Sequence, residues 1–456
     1  MSVYIPNTRS DREEMLRFVG VASLDELYAD IPDEVRSTGT SGERRPLSEA
    51  ELQREIAELA DRNAGTDELT CFLGAGAYDR LIPAAIKHLV SRSEFYTAYT
   101  PYQPEISQGT LQSIFEFQTM IAGLTGMDTA NASMYDGASA CAEAALMAVR
   151  HTGRRKALVS ATVHPETLEV VRAYARFNGL EIEEIPAANG VTDANRLMSS
   201  LSDEVACVIL QNPNFYGLIE DVSATADPIH ERKALLVVSV ADPLSLAVLE
   251  SPGKQGADIA VGEGQSFGIG LGFGGPYLGF MAAKSALTRK MPGRIVGETA
   301  DVDGKRAFAL TLQTREQHIR REKATSNICS NQNLNALAAT IYLSLLGRTG
   351  LREAAEQSCR KARYLRRKLT EIGIRPMYDG PFFDEFVVEL PADAGAINEY
   401  LLDRGILGGY PLKDALPGPW DSDEARAMLL CVTEKRTKRE MDRLVELLAE
   451  ACREAS

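Results

Sequence analysis

The sequence has no surplus of positive charge. Its 456 residues include 49 Lys and Arg against 64 Asp and Glu, which gives a formal net charge of −15 at pH 7. A nucleic-acid-binding surface needs a basic stripe that neutralises phosphates. The one basic cluster, at residues 315–323, is diluted by two glutamates. The composition therefore argues against nucleic acid as a partner.

The sequence also lacks a long apolar run. A membrane-spanning helix needs about 20 consecutive apolar residues, and the best candidate, residues 234–249, is interrupted by Asp242 and Pro243. The N-terminus does not have the basic and then apolar pattern of a signal peptide. We therefore expect no membrane segment and a cytoplasmic location.

Cysteines are few and scattered. The seven cysteines are odd in number, and no two of them form a CxxC pair. This pattern argues against a disulfide framework and against a zinc site, so we expect no metal and a reduced compartment. Hydrophobic residues make up 45% of the chain and charged residues 25%, which is typical of a globular protein with two or three domains.

Three regions follow one another along the chain. Residues 1–66 are charged and predict a helical N-terminal arm, because three Ser-x-x-Glu capping boxes stand in a row. These boxes are Ser10/Glu13, Ser23/Glu26 and Ser48/Glu51. Residues 67–330 predict a large α/β domain, and residues 331–456 predict a connecting helix with a small α+β domain.

The large domain is predicted from short apolar runs that alternate with helical patterns. Such runs indicate a mainly parallel sheet that is buried on both faces. The predicted strands are 157–160, 180–185, 205–210, 235–240, 258–261 and 277–282. In the small domain we predict helices at 333–346, 351–372, 396–403 and 438–450, with strands at 385–390 and 428–432.

A lysine is missing where this layout makes one expected. The predicted strand at 258–261 runs into a glycine-rich turn that contains Gln265 and Ser266, and no lysine occurs between Lys254 and Lys284. A fold-type-I enzyme dependent on pyridoxal phosphate (PLP) places its Schiff-base lysine at such a turn. Neither glutamine nor serine supplies the primary amine that a Schiff base needs.

The turn at residues 135–145 is a candidate anion site. Gly137, Ser139 and several alanines lead into a helix, whose first amides point toward any anion at that end. In a PLP enzyme this turn holds the cofactor phosphate. The alternative is an ordinary tight turn with alanine-rich packing.

Two further candidates follow predicted strands. His164 lies between a strand and a helix, where an imidazole could stack on a pyridine ring or simply cap the helix. Asp242 follows a fully apolar strand, where a carboxylate is costly unless it is paired. In fold-type-I enzymes it pairs with the protonated pyridine nitrogen, but the Asp242-Pro243 step also suits a helix cap or turn.

Two polar segments have no assigned role from their residues alone. Residues 97–109 are rich in tyrosine and proline, and core packing is the default expectation, with a pocket or interface as the alternative. Residues 315–330 contain Arg315, Arg320 and Arg321, which could hold carboxylates across a subunit contact or form a solvated stretch.

Taken together, these segments resemble the P-protein family of the glycine cleavage system, glycine dehydrogenase (decarboxylating). The resemblance runs from residue 4 to the C-terminal helix. Its most specific segments are residues 72–78, 99–105 and 315–321, the last with an extension over 324–329. Some members of the family are one long chain with two similar halves, and others are split in two. The likeness is to the N-terminal-half type, the first subunit of the split form.

The resemblance implies the fold-type-I PLP-transferase fold and a role in glycine cleavage. The family uses PLP to decarboxylate glycine and passes the aminomethyl group to the lipoyl arm of the H-protein. The lysine that binds PLP belongs to the second half. The family therefore implies a lysine-bearing partner subunit that carries the PLP, with two copies of each subunit.

By position, the resemblance assigns five residues to a vestigial cofactor pocket and no catalytic residue to this chain. Gly137 and Ser139 match the phosphate turn, His164 the ring-stacking histidine and Asp242 the pyridine partner, while Gln265 replaces the lysine. Two alternatives remain. One is a self-sufficient PLP enzyme, for which the candidate lysines are 284, 305 and 323. The other is a non-catalytic scaffold.

Overall fold

The structure, a computed structural model, describes residues 7–36, 46–313, 317–326, 328, 330–415 and 426–454. The chain forms two units, Met1–Ala64 and Gly65–Ser456. In chain order the helices are α1 (Arg9–Val19), α2 (Glu49–Ala60), α3 (Ala84–Val90), α4 (Ser93–Tyr96), α5 (Pro104–Thr125), α6 (Gly137–Thr152), α7 (Pro165–Asn178), α8 (Ala194–Ser200), α9 (Val222–Glu231), α10 (Gln317–Arg320), α11 (Asn333–Glu371), α12 (Ala394–Leu402) and α13 (Lys438–Glu454).

The strands are short. In chain order they are β1 (Thr70–Cys71), β2 (Thr129–Ala130), β3 (Lys156–Ser160), β4 (Glu181–Ile185), β5 (Ala187–Ala188), β6 (Val191–Thr192), β7 (Val205–Gln211), β8 (Leu235–Val240), β9 (Ile259–Glu263), β10 (Gly279–Ala283), β11 (Ile295–Ala300), β12 (Arg306–Thr311), β13 (Arg375–Pro376), β14 (Glu385–Glu389), β15 (Ile406–Leu407), β16 (Tyr410–Pro411) and β17 (Ala427–Cys431).

The first unit contains α1, α2 and a 3-10 turn, as its capping boxes predict. The predicted box at Ser10 is wrong, because α1 is capped two residues earlier. The Thr8 amide donates to Asp11 Oδ2 at 2.7 Å, and the Asp11 amide donates back to Thr8 Oγ1 at 3.2 Å. Thr8 and Asp11 have the same spacing as Ser10 and Glu13, so the motif alone does not choose between them.

The other two boxes differ in outcome. The box of Ser48 and Glu51 is confirmed, since the Ser48 amide donates to the Glu51 carboxylate at 2.8 Å and Glu51 donates its amide to Ser48 Oγ at 3.3 Å. At the box of Ser23 and Glu26, only half of the motif forms. The Glu26 amide donates to Ser23 Oγ at 3.4 Å, but the Glu26 carboxylate accepts from the amide of Ala22.

A seven-stranded sheet organises the second unit, in the order β2-β10-β9-β8-β7-β3-β4. The five strands from β9 to β4 are parallel to their neighbours, and β10 pairs with β9 and β2 in antiparallel fashion. The predicted strands are confirmed, and every residue of β7 and β9 is buried. Burial on both faces is wrong for β4, because it lies at the edge of the sheet and only Ile185 of its five residues is buried. The last predicted strand begins at Gly279 rather than 277.

A four-stranded antiparallel sheet, ordered β13-β14-β17-β16, lies in the C-terminal part of the same unit. Helices α11, α12 and α13 pack with it around a shared hydrophobic core. The two helices predicted on either side of Gly347 are confirmed. Together they form α11, which is broken at Gly347, where the φ of +57° is left-handed. Glycine is the residue that adopts this conformation without a steric penalty.

Strand β1 comes from early in the unit but pairs with β15 in the C-terminal part. The carbonyl of Phe72 continues the contact by accepting from the amide of Cys431 at 2.9 Å. The chain that follows, residues 74–80, is therefore anchored at its start beside the small sheet. In the described part of the chain, no helix is long and apolar enough to span a membrane.

Candidate cofactor-binding site

The candidate site lies where β8 and β9 end and helices α6 and α7 begin. In parallel sheets the loops at this edge are where ligands bind. A cavity of about 560 Å³ opens here. Gly137, Ser139 and His164 line it, whereas Asp242 and Gln265 do not. The structure therefore brings three of the five predicted residues to one cavity and places the other two outside it.

Residues 74–80, which we call the crossing segment, lie between these two groups. Three residues of the segment form part of the cavity wall. Beyond the wall, Tyr78 exchanges hydrogen bonds with Gln265, and Arg80 forms an ion pair with Asp242. The crossing segment thus contacts both residues that the cavity leaves out.

The anion end of the site is the first turn of α6. The Gly137 amide points at an acceptor, but that acceptor is the Glu263 carboxylate, 3.0 Å away. The Ser139 hydroxyl is also engaged, since it accepts from the Asp136 amide at 3.3 Å in a capping box. Both candidate phosphate ligands therefore already have partners within the chain.

Glu263 is held firmly in this position. Besides the bond from Gly137, it accepts from the amides of Leu278 at 2.8 Å and Gln265 at 3.2 Å. Burial raises the pKa of the Glu263 carboxyl from 4.5 to about 7, although the three backbone donors oppose the shift. A group that titrates near neutrality thus lies on the amino end of a helix.

His164 satisfies both ring nitrogens locally. Its Nδ1 accepts from the Glu166 amide at 3.2 Å, so the helix-capping alternative is confirmed. Its Nε2 lies 2.9 Å from the carbonyl oxygen of Ala75 in the crossing segment, and Phe215 contacts the ring edge-on. Burial lowers the pKa of His164, which favours a neutral imidazole with its proton on Nε2.

The close approach of the crossing segment requires glycine. Gly76 has a φ of +98°, and a Cβ there would lie 3.2 Å from His164 Nε2. At Gly74 a Cβ would lie 2.1 Å from Glu385 Oε1. These contacts give a physical reason for the two glycines in the motif at residues 72–78.

Gln265 is clamped to the backbone of the crossing segment. Its Oε1 accepts from the Tyr78 amide at 2.9 Å, and its Nε2 donates to the Tyr78 carbonyl at 3.1 Å. The same nitrogen donates to the Ile269 carbonyl at 2.7 Å. Only 2% of the Gln265 surface is exposed. Its amide therefore has a structural role of its own at the predicted lysine position.

Asp242 also has its partners within the chain. One carboxylate oxygen accepts from the Leu244 amide at 3.2 Å, so the capping alternative is confirmed. The other oxygen accepts from the Arg80 guanidinium. Asp242 is only 3% exposed. The strand-end carboxylate is thus paired, as burial requires, but with an arginine.

Arg80 is one of the site residues that sequence reasoning missed. Besides Asp242, its guanidinium donates to Asp384 at 2.5 Å and to Glu434 at 2.7 Å. Burial acts to lower the pKa of Arg80, but the three carboxylates outweigh burial and hold it above its usual value. Ser266 and Ser358 take the remaining donors at 3.1 and 3.2 Å.

A second buried carboxylate faces the crossing segment. Glu385 accepts from the Ala75 amide at 2.7 Å and from the Tyr78 hydroxyl at 2.9 Å. Burial raises the pKa of Glu385 from 4.5 to about 7. Glu385 begins β14 of the small sheet, so the segment joins that sheet to the edge of the large one.

These contacts do not fit bound PLP. The anion-binding amide holds Glu263, the strand-end carboxylate holds Arg80, and the lysine position holds a clamped glutamine. These three positions, which meet the phosphate, the pyridine nitrogen and the aldehyde carbon in a fold-type-I enzyme, therefore already have partners within this chain. Among the described residues, no cluster of His, Cys, Asp and Glu that could hold a metal ion was found either.

The two polar segments have different outcomes. The default of core packing is wrong for most of residues 97–109, since Tyr99 is 73% exposed, Tyr102 48% and Ile106 80%. In the second segment Arg320 and Arg321 are exposed, and Arg315 lies outside the described residues.

Comparison with known proteins decides the family. The profile of the glycine cleavage system P-protein matches residues 2–448. The chain belongs to this family. It is 54% identical over 447 residues to the probable glycine dehydrogenase (decarboxylating) subunit 1 of Geobacillus kaustophilus (strain HTA426), covering 98% of both chains. The corresponding protein of Exiguobacterium sibiricum is 53% identical over 446 residues, again covering 98% of both chains.

Solved structures agree with this assignment. A P-protein crystal structure, glycine decarboxylase in an inhibitor-bound form, matches with a TM-score of 0.88 and 45% identity over 99% of this chain and 100% of that one. Glutamate decarboxylase of Lactobacillus brevis matches with a TM-score of 0.68 at 14% identity over 94% of this chain and 98% of that one, which supports the fold alone. The fold-type-I α/β prediction is confirmed.

Proposed function

We propose that this P-protein family chain is the half of a two-subunit glycine dehydrogenase (aminomethyl-transferring, decarboxylating) that does not bind the cofactor. Its partner is a homologous subunit that supplies the lysine and the PLP. The pair decarboxylates glycine, releases CO₂ and passes the aminomethyl group to the lipoyl arm of the H-protein. We further propose two copies of each subunit and a cytoplasmic location.

The single observation that carries this proposal is the environment of Gln265. The residue lacks an amine, and its amide is held by three hydrogen bonds to backbone groups of Tyr78 and Ile269. A side chain fixed in this way is part of the folded structure. The relatives named subunit 1 support the other half of the proposal, since a first subunit implies a second.

A self-sufficient PLP enzyme is the alternative, and the other lysines do not support it. Lys284 Nζ lies 2.9 Å from Asp258 Oδ1, immediately before β9 begins. The site lies at the opposite end of β9, roughly 15 Å away at the usual rise of about 3.3 Å per residue. Lys305 and Lys323 are exposed, one in the β11–β12 turn and the other in a short 3-10 turn.

Co-purification with the lysine-bearing partner tests the proposal. The complex should contain one PLP for each pair of subunits and should catalyse glycine-dependent CO₂ exchange. This chain by itself should contain no PLP and should not catalyse the exchange. Two PLP molecules per pair would contradict the proposal, as would a PLP adduct trapped by borohydride on a lysine of the isolated wild-type chain.

The scaffold alternative is separated by omitting this chain from the assay. If the partner alone exchanges CO₂ as fast as the complex, this chain only accompanies the enzyme. If exchange needs both subunits, the chain completes the site. An assay of glycine-dependent CO₂ exchange at equal partner concentration, with and without this chain, distinguishes the scaffold from the site-completing subunit.

A further inference from the structure

We propose that this chain has replaced the cofactor with its own side chains: Glu263 takes the place of the phosphate and Arg80 that of the pyridinium. The groups that would hold the cofactor are therefore already bonded within the chain, although the cavity beside them is open, and restoring the lysine alone does not restore PLP binding. The inference rests on the proposed function only in naming PLP as the group that is replaced.

Glu263 matches a cofactor phosphate in position and chemistry. A helix amino end binds anions through its free amides and its dipole, and here the Gly137 amide donates to Glu263 Oε2 at 3.0 Å. The carboxylate is itself fixed by the amides of Leu278 and Gln265. A phosphate at the same amide would have to displace the Glu263 carboxyl, because Gly137 packs directly on β9.

Arg80 matches a protonated pyridine in the same sense. A pyridinium nitrogen presents one positively charged N–H to the strand-end aspartate, and the Arg80 guanidinium presents that charge to Asp242. Asp384 and Glu434 bind the same guanidinium. Arg80 is 4% exposed. Displacing it would leave three buried carboxylates without their cation, which is strongly unfavourable.

The crossing segment connects these two substitutes. It contacts His164 through the Ala75 carbonyl, Gln265 through the Tyr78 backbone and Asp242 through Arg80. In a PLP enzyme those three positions stack on, anchor and charge-pair the cofactor ring. One stretch of polypeptide therefore supplies partners to all three, and Glu263 supplies the fourth at Gly137.

Restoring the amine tests the inference in the isolated full-length chain. Gln265→Lys, Gln265→Lys with Glu263→Ala, and the wild type are each incubated with PLP, reduced with borohydride and mapped for an adduct at position 265. The single variant should trap no more PLP than the wild type. The double variant should trap more PLP than the single variant, with PLP favoured over pyridoxal by about tenfold or more, because only PLP has the phosphate that uses the vacated amide. Arg80 still pairs with Asp242 in this variant, so the yield should stay below one PLP per chain.

A matched control replaces another carboxylate of the same cavity. Glu166 lines the cavity, whereas the Gly137 amide donates to Glu263, so Gln265→Lys with Glu166→Ala should behave like Gln265→Lys alone. If Glu263→Ala does not fold, Glu263→Val keeps more of the side-chain volume, leaves the Gly137 amide without its acceptor and should still raise the trapped yield.

Three results would overturn the inference. These are full trapping by Gln265→Lys alone, equal trapping of PLP and pyridoxal by the double variant, and no trapping by a folded double variant. None of them concerns the partner subunit. The proposed function fails separately, if the wild-type complex contains two PLP molecules per pair.

Discussion

The buried site and the exposed segment at residues 97–109 use similar side chains in opposite ways. At the site, Tyr78 is 1% exposed and its hydroxyl donates to Glu385 at 2.9 Å. On the surface, Tyr99 and Ile106 are 73% and 80% exposed. The site satisfies its polar groups internally, whereas the surface segment leaves apolar area uncovered. The exposed segment therefore has apolar surface available to another molecule, whereas the polar groups named at the site are already paired within the chain.

Removing the cation at the centre of the site should have the largest effect. Arg80→Met leaves Asp242, Asp384 and Glu434 without their common partner, so we expect a loss of about 3–5 kcal/mol in the free energy of unfolding. Urea denaturation of the isolated chain measures it. The matched control is Arg92→Met, which removes an exposed pair with Glu94 and should cost much less, because solvent screens that pair. Equal losses in the two variants would mean that burial does not distinguish the regions.

A smaller loss is expected when one hydroxyl is removed from the crossing segment. Tyr78→Phe leaves a buried acceptor on Glu385 with one donor fewer, which should cost about 1–3 kcal/mol. Tyr99→Phe removes a hydroxyl from the exposed segment, where it contacts Ser330 Oγ at 3.0 Å, and should cost less because water replaces the lost contact. Urea midpoints for both variants, measured at the same pH, give the comparison. A larger loss for Tyr99→Phe than for Tyr78→Phe would contradict the expected order.

The organisation of the fold could be predicted from the sequence. Runs such as 205–210 and 235–240 are apolar apart from Ser239, which is typical of a strand buried on both faces. His164 and Asp242 were identifiable because each follows such a run. The missing lysine at Gln265 was also visible. These signals are local, since each depends on residues adjacent in the chain.

The residues that pair with the predicted site residues could not be predicted, because these contacts join positions that are distant in the sequence. Arg80 and Asp242 are 162 positions apart, and Tyr78 and Gln265 are 187 apart. One signal was present: Glu263 lies between two glycines at the end of a buried strand. A carboxylate there is costly unless it is bonded. Its position, however, did not identify the Gly137 amide as a donor.

Stability should depend on pH through the two carboxyls that face the site. Burial raises the pKa of Glu263 and of Glu385 from 4.5 to about 7. Between these values the folded chain binds more protons than the unfolded chain. Each group's contribution is therefore fully present below about pH 4.5 and is lost as the pH rises through 7. The slope per group is at most about 1.4 kcal/mol per pH unit.

Urea denaturation at several pH values between 5 and 8 tests this dependence. Glu263→Gln cannot titrate at that position, so its unfolding free energy should fall less steeply with pH than that of the wild type. The control is Glu94→Gln on the exposed side, which should leave the slope in this window unchanged. Parallel curves for the wild type and Glu263→Gln would contradict the assigned pKa.

The smallest effect is expected for an exposed residue, and two residues of one helix allow a direct comparison of exposed and buried positions. Ile106 and Leu111 both lie on α5, but Ile106 is 80% exposed and Leu111 is fully buried. Ile106→Ala should change the unfolding free energy by no more than about 0.5 kcal/mol, whereas Leu111→Ala should cost about 2–5 kcal/mol. A large loss at Ile106 would mean that the isolated chain already covers this residue. With little change in stability, any weakening of co-purification by Ile106→Ala reports directly on contact with the proposed partner.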